Sequence, residues 1–391
     1  MDKIRVLVID DSAIVRDVLS SAIATQPDME LVGTAPDPFV GRDKIVRDKP
    51  DVITLDIEMP RMDGLTFLER LMHYYPLPVI IVSSITTKDP YAAIKALELG
   101  AFDVVNKPGG SITVEEVKEE VLRKIRLAYE GRDSFLRKYA AQVKTVQLVK
   151  DKQQASANSI ASPASKPSQF HKPSSLSSQT QPIETSINTS NLLTQVATTE
   201  KLIALGASTG GTVALEFILR KLPRHLPPLV IVQHMPEGFT TQFAHRLNDL
   251  CELTVKEGEE EELVQMGTVY LAPGGFHMEV VRRGASLFIH LHKGERIQFQ
   301  RPAVDVLFKS IARHVGKNAL GILLTGMGKD GAQGLLAMKE AGALTMAQDE
   351  ASSIVWGMPK AAVDLQATQK IVSLENIPNE IVSFAKLNKG S

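Results

Sequence analysis

The chain has 391 residues, 43% of them hydrophobic and 23% charged, which is typical of a globular protein with two domains and a linker. Its 44 basic and 45 acidic side chains leave a net charge of −1, which excludes a general attraction to nucleic acid or to an anionic membrane. Cys251 is the only cysteine, so the chain forms no internal disulfide and no multi-cysteine metal site.

The N-terminal part of the chain alternates short apolar strands with helical patterns. The predicted strands are 5–9, 31–35, 52–55, 79–82 and 104–105. Strands that alternate with helices in this way form parallel sheets covered by helices on both faces. The sequence therefore predicts a doubly wound (βα)5 domain.

Polar side chains follow four of these strands. Asp10 and Asp11 follow the first strand, and Asp56 follows the third. Ser83 and Lys107 follow the last two. Because the carboxyl ends of parallel strands meet at one edge of the sheet, we expect the three carboxylates to lie together and to repel one another unless a cation separates them. A hard divalent ion such as Mg²⁺ suits such ligands, whereas helix capping would explain only one of the first two aspartates.

A composition change separates this domain from the rest of the chain. Serine, proline and glutamine dominate residues 151–182, which hold too few large apolar side chains to offset the entropy cost of ordering. The apolar positions within 135–148 favour a docked helix at the start of this region. We predict one domain at 1–127, a partly disordered linker at 128–199 and a second domain at 200–388.

A small-residue turn opens the second domain. The apolar run 202–205 leads into Gly206-Ala-Ser-Thr-Gly-Gly211, and the apolar periodicity that resumes at residue 213 predicts a helix just afterwards. Ser208 would then lie beside free backbone N–H groups at a helix N-terminus. Taken alone, this turn fits a catalytic serine, a phosphate-binding loop and plain tight packing about equally well.

Two later apolar strands end in the same manner. The strand that starts at residue 229 ends at His234, and the strand that starts at residue 320 leads into a glycine-rich loop with Asp330. At one sheet edge, Ser208, His234 and Asp330 would supply a nucleophile, its base and the group that orients the base. Their order along the chain differs from that of α/β-hydrolases, which excludes an ordinary lipase-type enzyme. A second doubly wound α/β domain with a mainly parallel sheet is therefore expected.

The N-terminal residues resemble the receiver domain of two-component response regulators. The matching segments are Val-Ile-Asp10-Asp11-Ser, Thr-Leu-Asp56-Ile-Glu-Met-Pro60-Arg-Met-Asp-Gly64, Val-Ser83-Ser and Lys107-Pro108. The resemblance implies that Asp56 is the phosphoacceptor and that Ser83 and Lys107 contact the phosphoryl group. It also implies a Mg²⁺ site formed by Asp10, Asp11, Asp56 and the backbone carbonyl of Glu58. Val104 stands where many receivers place an aromatic switch residue.

The C-terminal residues resemble the catalytic domain of the chemotaxis protein-glutamate methylesterases, the CheB family. The matching segments are Gly206-Ala-Ser-Thr-Gly-Gly211, Gln233-His-Met-Pro236, Leu271-Ala-Pro-Gly274, Arg301-Pro302-Ala-Val-Asp305 and Thr325-Gly-Met-Gly-Lys-Asp-Gly331. The resemblance implies a triad of Ser208, His234 and Asp330, with the backbone N–H of Met327 in the oxyanion hole. Gly275 and Ala303 depart from the family pattern, and His277 is a further residue that we expect to line the site.

The implied function is a phosphorylation-activated enzyme that hydrolyses glutamate γ-methyl esters on chemoreceptors and deamidates specific receptor glutamines. The implied partners are the chemoreceptor cytoplasmic domains and a histidine kinase, and the esterase reaction is expected to need no cofactor. We expect no nucleic-acid partner and no membrane insertion. The short apolar run at the N-terminus does not suit a signal peptide, so we expect a cytoplasmic location.

Two other classes of protein share parts of these patterns. A response regulator with a non-catalytic, DNA-binding output domain would share the receiver, but no basic recognition helix follows residue 199. A nucleotide-dependent oxidoreductase would share the glycine turn. In this chain, however, Pro227 and Pro228 lie where an acidic ribose-binding residue is expected.

Overall fold

The computed structural model describes residues 3–84, 91–108, 113–158 and 201–386. Residues 159–199 of the predicted linker, and residues 200 and 387–388 at the ends of the predicted second domain, lie outside the described residues. No helix in the described part of the chain has the apolar length that a bilayer crossing requires.

The N-terminal domain is a five-stranded parallel sheet, as predicted, and its strand order is β2-β1-β3-β4-β5. The strands are β1 (Ile4–Ile9), β2 (Met29–Ala35), β3 (Val52–Leu55), β4 (Val79–Ser83) and β5 (Asp103–Asn106). The helices are α1 (Ala13–Ala24), α2 (Pro38–Asp48), α3 (Gly64–Tyr74), α4 (Ala92–Glu98) and α5 (Val114–Asn158). Apart from the edge strand β2, the strands are almost wholly buried between helices, which explains why they are mainly apolar.

Side-chain caps fix where several of these helices begin. The Ser12 hydroxyl accepts the N–H of Val15 at 3.5 Å, and Asp63 accepts the N–H of Thr66 at 2.8 Å. Such caps satisfy N–H groups that have no partner within the helix. Because α1 begins just after Ser12, Asp11 remains in the loop at the carboxyl edge of the sheet.

Helix α5 continues across the predicted boundary between residues 127 and 128. Ala128 and Phe135 are buried, and the Phe135 ring packs edge-on against Phe102 with 5.3 Å between ring centroids. The apolar positions at 121, 125, 128 and 135 keep one helical face on the domain, so the helix does not end at residue 127.

The C-terminal domain has a seven-stranded parallel sheet in the order β14-β13-β12-β6-β7-β9-β8, together with a two-stranded antiparallel hairpin. The sheet strands are β6 (Leu202–Ala207), β7 (Leu229–Gln233), β8 (Thr254–Glu257), β9 (Thr268–Leu271), β12 (Ala319–Leu323), β13 (Leu344–Gln348) and β14 (Lys370–Val372). The helices are α6 (Gly211–Leu219), α7 (Phe239–Leu250), α8 (Val304–His314), α9 (Ala332–Glu340), α10 (Met358–Asp364) and α11 (Ile377–Lys386).

The strand order places a topological switch point between β6 and β12. From β6 the chain builds β7, β8 and β9 on one side of the sheet, and then returns to add β12, β13 and β14 on the other. The loops that follow β6 and β12 therefore diverge and leave a crevice, which is the usual position of a site in an open α/β sheet. The hairpin of β10 (His277–Arg283) and β11 (Ser286–His292) was not predicted.

Candidate active site

Ser208 lies in the turn between β6 and α6, at the carboxyl edge of the sheet. Its N–H donates to the carbonyl of Thr325 at 3.0 Å, and its carbonyl accepts the N–H of Gly211 at 2.7 Å. Gly210 has φ of 76°, a conformation that favours glycine and allows α6 to begin directly after the turn. The serine is therefore held by its backbone at the N-terminus of a helix, as the sequence predicted.

His234 and Asp330 form a buried pair. His234 follows the last residue of β7, and its Nε2 lies 2.7 Å from Oδ2 of Asp330. The same carboxylate accepts the N–H of Val304 at 2.7 Å and that of Asp305 at 3.0 Å. Burial opposes ionisation of Asp330, but the hydrogen bond and charge of His234 and these two N–H groups lower its pKa below the ordinary value. Asp330 is thus held as a carboxylate that can orient the imidazole.

Ser208 and His234 follow adjacent strands of the sheet, and both line the same cavity. The N–H of His234 donates to the carbonyl of Ala207 at 3.0 Å, which ties the ends of β6 and β7 together. Because Nε2 of His234 contacts Asp330, Nδ1 is the ring nitrogen that remains for proton transfer. Within the described residues this Nδ1 is buried and has no hydrogen-bond partner, so it can accept a proton but is not hydrogen-bonded to the Ser208 hydroxyl in this conformation.

The loop that carries Met327 passes directly beside the serine. A Cβ atom added to Gly326 would lie 2.8 Å from Cβ of Ser208, so only glycine allows this approach. Met327 follows Gly326 and is half-buried against the core. Its role as an oxyanion donor remains a prediction, and the loop that would supply the N–H lies next to the nucleophile.

His277, which we expected to line the site, lies behind it. Its ring is buried, Nδ1 accepts the N–H of Ala303 at 3.2 Å, and Nε2 donates to the carbonyl of Glu295 at 2.8 Å. Burial lowers the pKa of His277, which favours the neutral form that this pattern requires. Ala303 is the N-cap of α8, so His277 supports the helix that holds Asp330.

The departure at Gly275 has a conformational reason. Gly275 has φ of 84°, and an added Cβ atom would lie 3.1 Å from a carboxylate oxygen of Glu237. An aspartate at this position would combine a strained backbone with two neighbouring negative charges. The turn in this chain therefore requires glycine.

The N-terminal domain closes the cavity around Ser208. Four of its residues complete the lining, namely Leu97, Phe102, Asp103 and Val104. The remaining space is about 20 Å³, room for about one water molecule, and Ser208 and His234 are only 8% and 9% exposed. A glutamyl ester side chain does not fit this volume, so the cavity is closed to substrate in this conformation.

Polar contacts join the two domains beside the cavity. Helix α4 packs against α6 and α7, and Arg246 of α7 forms an ion pair with Glu98 of α4 and a second with Glu216 of α6 at 3.2 Å. Nδ2 of Asn106 donates to the carbonyl of Glu237 at 3.3 Å. Asn106 precedes Lys107, and Glu237 belongs to the loop that follows His234.

The predicted acidic cluster is present at the edge of the first sheet. Carboxylate oxygens of Asp10, Asp11 and Asp56 lie within 4.8 Å of one another. Nζ of Lys107 contacts Asp56 at 2.7 Å and Asp10 at 2.9 Å. Burial and the charge of Asp10 raise the pKa of Asp56 to about 6 despite the opposing effect of Lys107. The cluster thus holds more negative charge than Lys107 balances, and its oxygen ligands suit a hard divalent cation.

Ser83 and Glu58 lie beside this cluster. Ser83 ends β4, and within the described residues its buried hydroxyl has no hydrogen-bond partner. The N–H of Glu58 donates to Oδ1 of Asp56 at 3.3 Å. Contact between Ser83 and a group attached to Asp56 stays a prediction, as does the metal ligand at Glu58, its backbone carbonyl.

Comparison with known proteins shows similarity along the whole chain. Residues 203–381 match the family described as CheB methylesterase, and residues 6–119 match the response regulator receiver domain. Protein-glutamate methylesterase/protein-glutamine glutaminase 2 of Syntrophus aciditrophicus is 48% identical over 382 residues, which cover 98% of this chain and 99% of that protein. The corresponding protein of Salmonella typhi is 45% identical over 390 residues, which cover 100% of this chain and 99% of that protein.

Two solved structures match the separate domains. The CheB methylesterase catalytic domain of Thermotoga maritima is 38% identical, with a TM-score of 0.46, over 47% of this chain and 97% of that one. The response regulator domain of Thermotoga maritima CheB is 47% identical, with a TM-score of 0.31, over 33% of this chain and 97% of that one. The family match over residues 203–381 is to a methylesterase, so a DNA-binding output domain is not supported.

Proposed function

Because this chain belongs to the CheB methylesterase family and carries a response regulator receiver domain, we propose that it hydrolyses glutamate γ-methyl esters on chemoreceptors and deamidates specific receptor glutamines. The observation that carries the proposal is the cavity in which Ser208 lies beside His234, whose ring is bound to Asp330 at 2.7 Å. We infer a cytoplasmic location, because the proposed substrate is the cytoplasmic domain of a chemoreceptor.

The proposed reaction assigns one role to each of the three residues. Ser208 Oγ attacks the acyl carbon while Nδ1 of His234 takes the hydroxyl proton. The protonated ring then gives this proton to the leaving methanol or ammonia, and Asp330 stabilises the charged ring through Nε2. Water hydrolyses the acyl-enzyme with His234 as the base, which releases the glutamate side chain and restores Ser208. The backbone N–H of Met327 would stabilise the oxyanion.

Phosphorylation of Asp56 is the second reaction of the proposal. The Asp56 carboxylate attacks the phosphorus of a phosphohistidine on the kinase, and the bond to the histidine breaks. Lys107 and Ser83 then contact phosphoryl oxygens. Asp10, Asp11, Asp56 and the backbone carbonyl of Glu58 would hold Mg²⁺, which supplies positive charge for those oxygens.

Regulation by phosphorylation would act through the closed cavity. In this conformation Leu97 and Val104 of the receiver domain line the cavity that holds Ser208 and leave little room in it. Lys107 already contacts Asp56, and a phosphoryl group there would change these contacts. The preceding residue, Asn106, donates a hydrogen bond to the loop after His234. Such a modification shifts an equilibrium only through contacts that differ between the two states. We infer that the new Lys107 contacts weaken the interface and open the cavity.

Methanol release from a methylated receptor signalling domain tests both reactions. Wild-type protein and Ser208→Ala protein are compared with and without a small-molecule phosphodonor and Mg²⁺. We expect release that requires Ser208 and rises with the phosphodonor, whereas Asp56→Asn protein should show the basal rate under both conditions. Release that persists in Ser208→Ala protein would overturn the assignment of the nucleophile.

A further inference from the structure

We propose that Gln233 is a positioning residue that sets the distance between Ser208 and His234, an inference that rests on the proposed function. Its Nε2 donates to the carbonyl of Ser208 at 3.0 Å and to the carbonyl of His234 at 3.2 Å. One side-chain amide therefore joins the backbones of the nucleophile and the base. Gln233 acts through these two residues and takes no part in proton transfer.

The strand ladder alone does not hold these residues in place. Parallel pairing of β6 and β7 ends with Ala207 opposite Gln233, and the last backbone hydrogen bond runs from His234 N–H to Ala207 O. Beyond that point the chain turns into α6 on one side and into the loop after His234 on the other. The amide of Gln233 reaches across the point where the two segments separate.

The surroundings of this amide indicate that the bridge is required. Gln233 is 3% exposed, and within the described residues its Oε1 is buried without a hydrogen-bond partner. Leaving a buried polar atom unpaired costs about 1–3 kcal/mol, whereas an apolar residue at this strand end would avoid that cost. Gly211 also makes room for the amide, because an added Cβ atom there would overlap Oε1 of Gln233.

Gln233→Met tests the proposal in the full chain with the phosphodonor and Mg²⁺ present. Methionine keeps the length of the side chain and removes both hydrogen bonds. Two readouts are measured, methanol release from the methylated receptor domain and the rate at which a fluorophosphonate labels Ser208. We expect both kcat and the labelling rate to fall by about 10²-fold with KM unchanged, since a misplacement of about 1 Å costs that much in catalysis.

Ser310→Ala is the matched control. The Ser310 hydroxyl is also buried and also holds backbone, since it accepts the N–H of Val280 at 2.9 Å and donates to the carbonyl of Leu307 at 2.7 Å. Its loss should lower the midpoint of thermal unfolding without changing kcat per labelled serine. A Gln233→Met protein that behaves in the same way, with kcat per labelled serine within about twofold of wild type, would overturn the proposal.

Gly211→Ala provides a second variant that displaces the amide without removing it, although the added Cβ atom would also lie 2.6 Å from Cβ of Ala207. We expect the same loss of kcat and labelling rate. A folded Gly211→Ala protein with the wild-type rate would count against the proposal, as would failure of both variants to fold, which would assign Gln233 to folding. If wild-type protein is labelled but releases no methanol, the substrate assignment fails, and the labelling rates still decide the role of Gln233.

Discussion

Asp305 lies at the start of α8, and Asp330 lies just before α9. The carboxylate of each residue accepts backbone N–H groups from the first turn of the other residue's helix. Asp330 lies just before α9 and accepts two N–H groups in the first turn of α8. Asp305 lies in that first turn of α8 and accepts the N–H of Gly334 in the first turn of α9 at 2.7 Å. Each helix N-terminus is thus capped by the aspartate that belongs to the other helix. These bonds hold Asp330 in contact with Nε2 of His234. Helix N-termini favour negative charge, and the pKa of Asp330 is lowered, whereas burial and the charge of Asp330 raise the pKa of Asp305 despite the N–H of Gly334.

Asp330→Asn separates the role of Asp330 in orienting His234 from its role in capping α8. The amide oxygen still accepts one hydrogen bond, but the ring of His234 loses its carboxylate partner and the stabilisation of its charged form. By analogy with serine proteases we expect kcat to fall by about 10⁴-fold in the methanol-release assay. Asp305→Asn is the control, because Asp305 does not contact His234, and it should keep most of the activity. Near-normal turnover by Asp330→Asn protein would contradict the proposed triad.

Asp305→Ala tests the exchange of caps. The substitution leaves the N–H of Gly334 without its acceptor, and the loss of such a cap costs about 1–2 kcal/mol. We expect a lower urea midpoint for the unfolding of the catalytic domain. Asp305→Asn keeps an acceptor oxygen and should restore most of the loss. Equal destabilisation by the alanine and asparagine variants would show that the charge of Asp305, and not its capping bond, is what matters.

The sequence predicted the parts of the site that depend on strand ends. Ser208 and His234 directly follow apolar strands, and Asp330 lies in the glycine-rich loop after a third. The topology of a parallel sheet then brings such residues to one edge. Both doubly wound sheets were confirmed for the same reason.

The rest of the site depends on packing that leaves no local pattern. Val104 has the sequence environment of any buried strand residue, yet it lines the cavity of the other domain. Asp305 looks like an ordinary acidic residue in a first helical turn, and only its contact with Gly334 shows its role. His277 was expected to line the site, but its ring is held by hydrogen bonds to the backbone of Ala303 and Glu295.

Glu98→Gln should raise the activity of the unphosphorylated protein. Glu98 is the receiver-domain partner of Arg246, and glutamine would remove this ion pair between the domains, although burial and the charge of Glu216 raise the pKa of Glu98 and offset part of the attraction. An ion pair that is partly exposed contributes at most about 1 kcal/mol, so we expect an increase of about two- to fivefold in methanol release without phosphodonor.

Glu216→Gln is the matched control for this prediction. It removes the other partner of the same Arg246, but Glu216 and Arg246 both belong to the catalytic domain. Basal release should therefore stay at the wild-type rate. Equal increases in the two variants would show that the effect comes from α7 itself and not from the interface between domains.

Asp56→Asn should stabilise the receiver domain at neutral pH in the absence of Mg²⁺. The pKa of Asp56 is raised from 3.8 to about 6, so the folded state binds a proton more tightly than the unfolded state does. The buried charge therefore destabilises the wild type most above pH ~6, by up to about 3 kcal/mol, and no longer does so below pH ~4. Asparagine carries no charge, while Lys107 keeps its contact with Asp10.

Urea unfolding of the two proteins between pH 4 and 7.5 measures this difference. The advantage of Asp56→Asn should be largest at the upper end and should shrink as the pH falls through the raised pKa. Asp11→Asn removes a charge from an exposed member of the same cluster and should have a smaller effect. Added Mg²⁺ should stabilise the wild type more than Asp56→Asn, because the variant has lost one of the three carboxylates. An advantage that grows as the pH falls would mean that Asp56 is favoured as a carboxylate in the folded protein.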